Sequence, residues 1–444
     1  MGSSSRCLPC GRAAFSGSAA TMRSAQKESP SQRRARASLM AACAANWRSA
    51  LPWIALTACL AVPALVSRES WLLAFLAQTA TMIVFALSYN LLLGETGLLS
   101  FGHAAYAGLA AFAAAQLFNR FGFALPYLPL VGGLAGALFG AVFGYVATRR
   151  AGTAFAMITL GIGELAAAAA WTLPDWFGGA AGVPIDRAAG PHWGAWSFGP
   201  AREAYVLIAA WCVLACVAMF VLSRTPLVRL ANAVRDNPVR VAALGTDPRR
   251  IRYAMTVLSA FFAGVAGSLA LVNIELASAE GVGMARSGAV LIATVIGGSG
   301  VFFGPVLGAV TLTFFSVALA SITRAWQFYL GLLFVVVVIA APDGLAGLAA
   351  RGAARFGWRA FWPRAVAALA WLAALVVAVE AVYARQFAAD TGGVFRIGAL
   401  ALQADSPRVW GAVAVLAGLG WVALSRARRA ATHTSQSGST ETER

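Results

Sequence analysis

The chain is short of charge and almost without lysine. Asp, Glu, Lys and Arg make up 11% of its 444 residues, against 60% hydrophobic, where a soluble domain carries about 25% charged residues. So little charge excludes water as the solvent for most of the surface. Lys27 is the sole lysine and follows Gln26 in a polar leader. A phosphate-cradling loop needs Gly-Lys-Ser/Thr, so this chain carries no Walker A motif, and any ATP that drives it sits on a partner subunit. Cysteines are few and form no framework. Cys7 and Cys10 make a lone CxxC with no second pair for zinc. Cys212 and Cys216 share a helix face in an apolar run, as small hydrophobes do. Period-two alternation is missing too, which excludes a membrane barrel. No nucleophile, base and orienting group come together, so no catalytic site is expected. His103 lacks the acid or cysteine partners of a metal site.

What the chain does have is apolar runs of roughly 20 residues, the length that spans a hydrocarbon core of about 30 Å. They fall at 48–66, 71–93, 98–118, 126–148, 153–172, 204–223, 254–275, 288–298, 303–321, 326–341, 365–383 and 409–425. The expectation is an all-α polytopic membrane protein with about 10 to 12 transmembrane or partly spanning helices. The run at 288–298 is too short to cross and is expected to tilt or half-cross.

The net charge of +17 is a topological signal rather than a nucleic-acid footprint, because the arginines are gathered in a few loops. Loop 224–253 holds Arg224, Arg229, Arg235, Arg240, Arg249, Arg250 and Arg252 against Asp236 and Asp247; loop 342–364 and the pair Arg149–Arg150 are basic as well. Segment 173–203 is charge-balanced and, with Trp171 just before it, presents Trp176, Trp193 and Trp196, which suit an outer interface. Alternating passes then place both termini in the cytoplasm. Residues 1–46 read as a disordered basic extension, with a later start at Met22 or Met40 and a transit peptide as the alternatives. Residues 47–350 read as the main transmembrane domain, 351–426 as an additional basic loop and membrane hairpin, and 427–444 as a polar tail. Glu380, near the end of its run, is expected to snorkel.

The punctuation of loop 224–253 is helical. Leu227, Leu230, Ala231 and Val234 have helical spacing. Asn237-Pro238 reads as an N-cap with proline at the first helical position. Gly245 closes a helix of under two turns in the left-handed conformation, and Asp247-Pro248 launches the next membrane helix. A helix so short is marginal alone in water and needs a docking surface. A basic loop that only sets topology is the plainer reading. The caps, and the apolar residues on a water-facing loop, favour docking.

At this loop the sequence resembles a known family. NAVRDNPVRVAALGTDPRRIRYAMTVLSAFFAGVAGSL is similar to permeases of the branched-chain amino-acid ABC importer family, M-type subunit. LSYNLLLGETGLLSFGHAAYAGLAAF at 87–112, VIGGSGVFFGPVLGA at 295–309 and LGLLFVVVVIAAPDGLAGL at 330–348 agree in kind and in order. The likeness covers residues 70–350; the leader and the hairpin after 364 lie outside it. The general importer loop places glycine four residues after the second alanine of Glu-Ala-Ala, whereas Val241-Ala242-Ala243-Leu244-Gly245 is more compact.

The resemblance implies an ABC importer permease in a bacterial inner membrane, moving branched-chain or related amino acids inward. It implies ABC ATPase subunits that bind ATP, a second related permease, an extracytoplasmic solute-binding protein and surrounding lipid as partners. Contact with the ATPase would fall on Arg235, Asn237, Pro238, Arg240, Val241, Ala243 and Gly245. Urea, amides, aromatic carboxylates and sugars remain alternative solutes. A proton-coupled secondary transporter using Glu164 and His103, or a passive channel, remains an alternative mechanism.

Polar residues are costly inside such runs, and few occur. Glu164 lies mid-run, either facing a pore or bracing a neighbouring helix. Asn90, Glu95, Thr96, Ser100 and His103 cluster around GETGLLSFGH, where Gly94 and Gly97 permit a helix break. Gly297, Gly300 and Gly304 echo that pattern in the second half. Paired glycine breaks point to a transport path; close helix packing through small residues is the competing explanation.

Overall fold

The computed structural model describes residues 52–63, 69–191, 196–341, 343–348, 358–386 and parts of 394–425. The leader 1–46, the tail 427–444, Trp193 and most of the basic loop after 348 lie outside the described residues. Residues up to Ala58 form one unit; the second is Cys59–Arg444.

That unit is mostly helical. In chain order, α1 is Ser70–Thr96, α2 His103–Phe121, α3 Leu128–Ala147, α4 Thr153–Thr172 and α5 Ala201–Ser223. The short α6 (Pro226–Asp236) and α7 (Pro238–Ala243) follow. Then come α8 (Pro248–Ile274), α9 (Met284–Gly297), α10 (Gly304–Thr313), α11 (Trp326–Ala340) and α12 (Trp358–Gln386). By length and composition, Ser70–Thr96, Leu125–Ala147, Thr153–Thr172, Ala201–Ser223, Pro248–Ile274 and Ala279–Gly297 are long and apolar enough to cross a membrane. Shorter apolar helices occur at Pro52–Pro63, Gly304–Leu319, Trp326–Ile339 and Val409–Leu419. The 288–298 run is part of a longer helix than its apolar stretch suggested, because α9 begins four residues earlier and a 3-10 turn, Ala279–Gly281, precedes it.

The centre of the bundle is α8, packed by α1, α2 and α3. A glycine ladder on α3 sets the closest of these contacts. Gly132, Gly136, Gly140 and Gly144 are all buried and recur every four residues. A Cβ at Gly136 would overlap the carbonyl of Ala260, and one at Gly140 the side chain of the same residue. Small residues let the two backbones approach where lipid gives no hydrophobic drive. At one end of α8, Glu275 turns left-handed (φ 62°) and its side chain pairs with Arg187. A minimal antiparallel pair, Val183–Pro184 (β1) with Leu276–Ala277 (β2), ties segment 173–203 to that end. Its Trp176 and Trp196, and Trp171 at the end of α4, are exposed.

Glu380 corrects one expectation. It does not snorkel: its carboxylate accepts hydrogen bonds from Thr323 Oγ1 and from Tyr329 Oη (3.0 Å), tying α12 to the start of α11.

Candidate functional site

Two polar assemblies interrupt the apolar bundle, and α1 joins them. The first is the loop between α5 and α8. Thr225 precedes Pro226, and α6 buries Val228, Ala231 and Val234; of the residues expected on its apolar face, Leu230 is 41% exposed. Asn237 caps α7, its Oδ1 accepting from the Arg240 amide at 3.0 Å, with Pro238 at the first position. Gly245 sits at φ 84°. Its amide bonds the Ala242 carbonyl (3.0 Å) and the Thr246 amide bonds the Val241 carbonyl (3.3 Å), the paired closure of a Schellman turn. Asp247 Oδ1 accepts from the Arg249 amide at 2.9 Å and opens α8. Of the apolar residues on this short helix, Val241 alone is buried, at 5% exposure; Val239 and Leu244 stand out at 77% and 79%. Arg240 and Ala243 are exposed as well. Val241 therefore anchors the helix, while Val239 and Leu244, absent from the sequence-derived set, form its outward apolar surface.

From this loop α6 reaches the end of α1. Arg235 Nη1 donates to the carbonyl of Gly94, and Asn232 Nδ2 donates to Glu95 Oε2 at 2.6 Å. Gly97 ends α1 in the left-handed region (φ 68°), and a Cβ there would lie 2.7 Å from the Arg235 side chain. Glu95 is thus held by the loop helix. Thr96 bonds back to the Leu92 carbonyl.

The second assembly lies deeper along α1. Residues 97–102 leave the helix and fold back beside it, so that Ser100 meets Tyr89: Tyr89 Oη donates to the Ser100 carbonyl at 2.9 Å. Non-helical backbone at membrane depth survives only where protein or a cavity satisfies it. Here Thr159 Oγ1 of α4 accepts from the Phe101 amide (3.2 Å), and Ser287 Oγ of α9 accepts from the Ala104 amide (3.0 Å). Gly102 has no alternative, since a Cβ would overlap the Thr159 carbonyl. His103, 0% exposed, opens α2 inside an aromatic cage. It stacks on Phe85 (5.4 Å between centroids) and meets Tyr89 and Tyr106 edge-on. Ser88 Oγ gives its one proton to the Phe85 carbonyl (2.7 Å), so it accepts from His103 Nε2 at 3.0 Å. That leaves Nδ1 as a bare acceptor.

Buried polar atoms normally find partners, and each exception calls for a reason. Among the described residues the exceptions are Asn90 Oδ1, Ser100 Oγ, His103 Nδ1 and Arg286 Nε. All four lie on α1, in its re-entrant loop, or against it: the Arg286 guanidinium is 5.8 Å from the centre of the Phe85 ring. Three of them belong to the sequence-derived cluster. Arg286 does not; starting the run at 288 placed this arginine outside it.

The remaining candidates fall elsewhere. Glu164 is exposed on α4 and, among the described residues, has no hydrogen-bond or ion-pair partner; it does not bond His103. Gly297 and Gly304 close the α9–α10 hairpin, where a Cβ on Gly297 would overlap the Gly304 carbonyl, whereas Gly300 has open space around it. The turn after α9 brings the Ser299 carbonyl against Gly94, so the two glycine-rich breaks touch.

Residues 71–341 match the family described as branched-chain amino acid transport system, permease component. The chain is 28% identical over 304 residues to the high-affinity branched-chain amino acid transport system permease protein LivM of Escherichia coli, covering 64% of this chain and 71% of that one. It is 28% identical over 305 residues to LivM of Salmonella typhimurium, with the same shares covered. No solved structure matches it.

Proposed function

Because this chain belongs to the branched-chain amino acid transport permease family, we propose that it forms one half of the membrane path of an importer for branched-chain or related amino acids. As a family member it is a multi-pass, non-catalytic ABC permease subunit. In this reading, ATP is bound and hydrolysed by partner ATPases that grip α7. A binding protein delivers the solute at the opposite face, near segment 173–203. The loop 224–253 and both termini face the cytoplasm of a bacterial inner membrane.

The observation that carries this reading is the connection from α7 to α1. A capped helix presents Val239 and Leu244 to the outside. Its neighbour α6 holds the end of α1 through Arg235–Gly94 and Asn232–Glu95. Farther along, the same α1 bears the unpartnered Asn90 Oδ1 and packs against the loop and helix that carry Ser100 Oγ and His103 Nδ1. A push on α7 therefore reaches the polar interior through one rigid helix. Glu164 supports a second permease as neighbour: a carboxylate midway along a membrane helix costs about 2.5–3.5 kcal/mol on insertion scales if it faces lipid. Its face is small at Gly161 and Ala168, which suits close helix packing.

The test is cysteine crosslinking from Val239→Cys and Leu244→Cys in membranes that carry the whole complex, together with reconstituted uptake. Crosslinks to an ATP-hydrolysing subunit, and uptake of leucine that needs ATP and the binding protein, are expected. Uptake driven by a proton gradient alone would overturn the importer reading.

A further inference from the structure

Arg286 is a cation in the wrong place for a structural residue. Phe85, over which its guanidinium lies, is the sixteenth of the 27 residues of α1, near the middle of a helix about 40 Å long at 1.5 Å per residue. An arginine at that depth is a functional-site candidate by default, with its partner to be named. No partner exists within the described chain: Arg286 makes no ion pair, and its Nε is buried without a hydrogen bond. The acids closest in sequence are otherwise placed, Glu275 on Arg187 and Glu280 exposed. Among the described residues its charge meets the face of Phe85, a cation–π contact within about 6 Å, and the side chain as a whole is half-buried.

The space beside it is shaped for a small group. Arg286 lines a cavity of about 70 Å³ with Ala107, Gly108 and Ala111 of α2, Ala270 of α8 and Ser278. One water takes about 10–15 Å³ of such a space, so this is room for a few waters or for the carboxylate end of a small solute. The walls are small because the helices touch: a Cβ on Gly267 would overlap the Ala107 carbonyl, and one on Gly108 the Val282 side chain.

Resting on the importer reading above, we infer that Arg286 and this cavity receive the carboxylate of the imported solute. A guanidinium presents paired N–H donors in a planar fork that matches a carboxylate, and the pairing is strengthened where water is excluded. The site selects solutes with a free carboxylate and disfavours urea, amides and sugars, which would leave the buried Nε of Arg286 and its charge without a matching partner. The solute's apolar part meets alanine and glycine walls.

The test uses the full complex in proteoliposomes, with leucine and its carboxylate-free analogue leucinol. Arg286→Gln is expected to lower leucine uptake at least tenfold, with complex assembly and binding-protein-stimulated ATP hydrolysis kept. Arg286→Lys, which retains charge without the fork, is expected to fall between. In a second measurement Ala111→Cys is alkylated in the otherwise native chain; leucine is expected to slow the reaction several-fold and leucinol to leave it unchanged. Leucine uptake within twofold of native in Arg286→Gln would overturn the site and leave the importer standing. So would loss of assembly in both Arg286 variants without leucine protection at Ala111→Cys, which would mark a bracing residue. If the native complex shows no ATP-driven uptake, the importer reading fails, while protection at Ala111→Cys still reports whether the cavity takes a carboxylate. ATP-driven uptake of urea but not leucine would sink the carboxylate site and the amino-acid solute together, leaving an ABC importer of another solute.

Discussion

Arg235 of α6 donates to the Gly94 carbonyl at the end of α1, 141 residues away in sequence. With Asn232 on Glu95 beside it, this bond ties α6 to the end of α1, and in the proposed importer it would serve as a lever on that helix. Hydrogen bonds to charged groups are worth about 1.5–3 kcal/mol, enough to carry a mechanical coupling but small against the packing of a helix bundle. Arg235→Ala and Asn232→Leu should therefore leave the complex assembled and ATP hydrolysis active while solute uptake falls about tenfold or more, the equivalent of about 1.4 kcal/mol per decade. Parallel measurement of hydrolysis and uptake decides; equal losses of both, or none, would remove the lever.

The outward surface of α7 divides cleanly from its anchor. Val239 and Leu244 are three-quarters exposed and Val241 is buried. Val239→Asp and Leu244→Asp should leave yield and thermal unfolding unchanged and abolish co-purification of the ATPase. Val241→Asp buries a charge and should lower thermal stability as well. If the two exposed variants retain the ATPase at native stoichiometry, the partner docks elsewhere.

Gly245 closes α7 at φ 84° with open space around it. Strain is then the only obstacle to a side chain, and a β-branched residue in the left-handed region costs about 1–2 kcal/mol. Gly245→Val is expected to reduce uptake while membrane insertion survives, and Gly245→Asn, which tolerates that region, to restore most of it. Comparable uptake by the valine and native proteins would show that the closure of this turn is immaterial.

Glycines of the two breaks differ in kind. A Cβ on Gly102 would overlap the Thr159 carbonyl, whereas Gly300 has nothing within 4 Å. Gly102→Ala should lower the thermal midpoint markedly, since overpacking costs about 1–3 kcal/mol or more; Gly300→Ala should leave it unchanged. Thermal scans of the two purified variants check this, and equal midpoints would contradict the contact.

Much of the fold was legible because it is written in local runs. The run at 153–172 is α4 residue for residue, and those at 126–148 and 204–223 differ from their helices by at most a few residues. Asn237, Pro238, Gly245 and Asp247 announced their caps, since a cap is a bond between near neighbours. The candidate site was half legible. Asn90, Ser100 and His103 showed as polar residues in an apolar run, but their caging by Tyr89, Thr159 and Ser287 joins elements far apart in sequence. Arg286 lay outside the run that begins at 288, and Glu380 looked like a snorkelling end; each is defined by a helix that the local pattern does not name.

The sequence by itself determined that this chain lives in a membrane, where its helices lie, which loop is capped and that it hydrolyses no ATP through a Walker loop. Those properties follow from composition and from interactions within a few residues. Only the tertiary structure decided that α6 grips the end of α1, that Glu164 faces outward and that Arg286 stands unpaired over Phe85. Each of these depends on which side of one helix meets another, and a side chain's partner across a bundle is not encoded in the residues next to it.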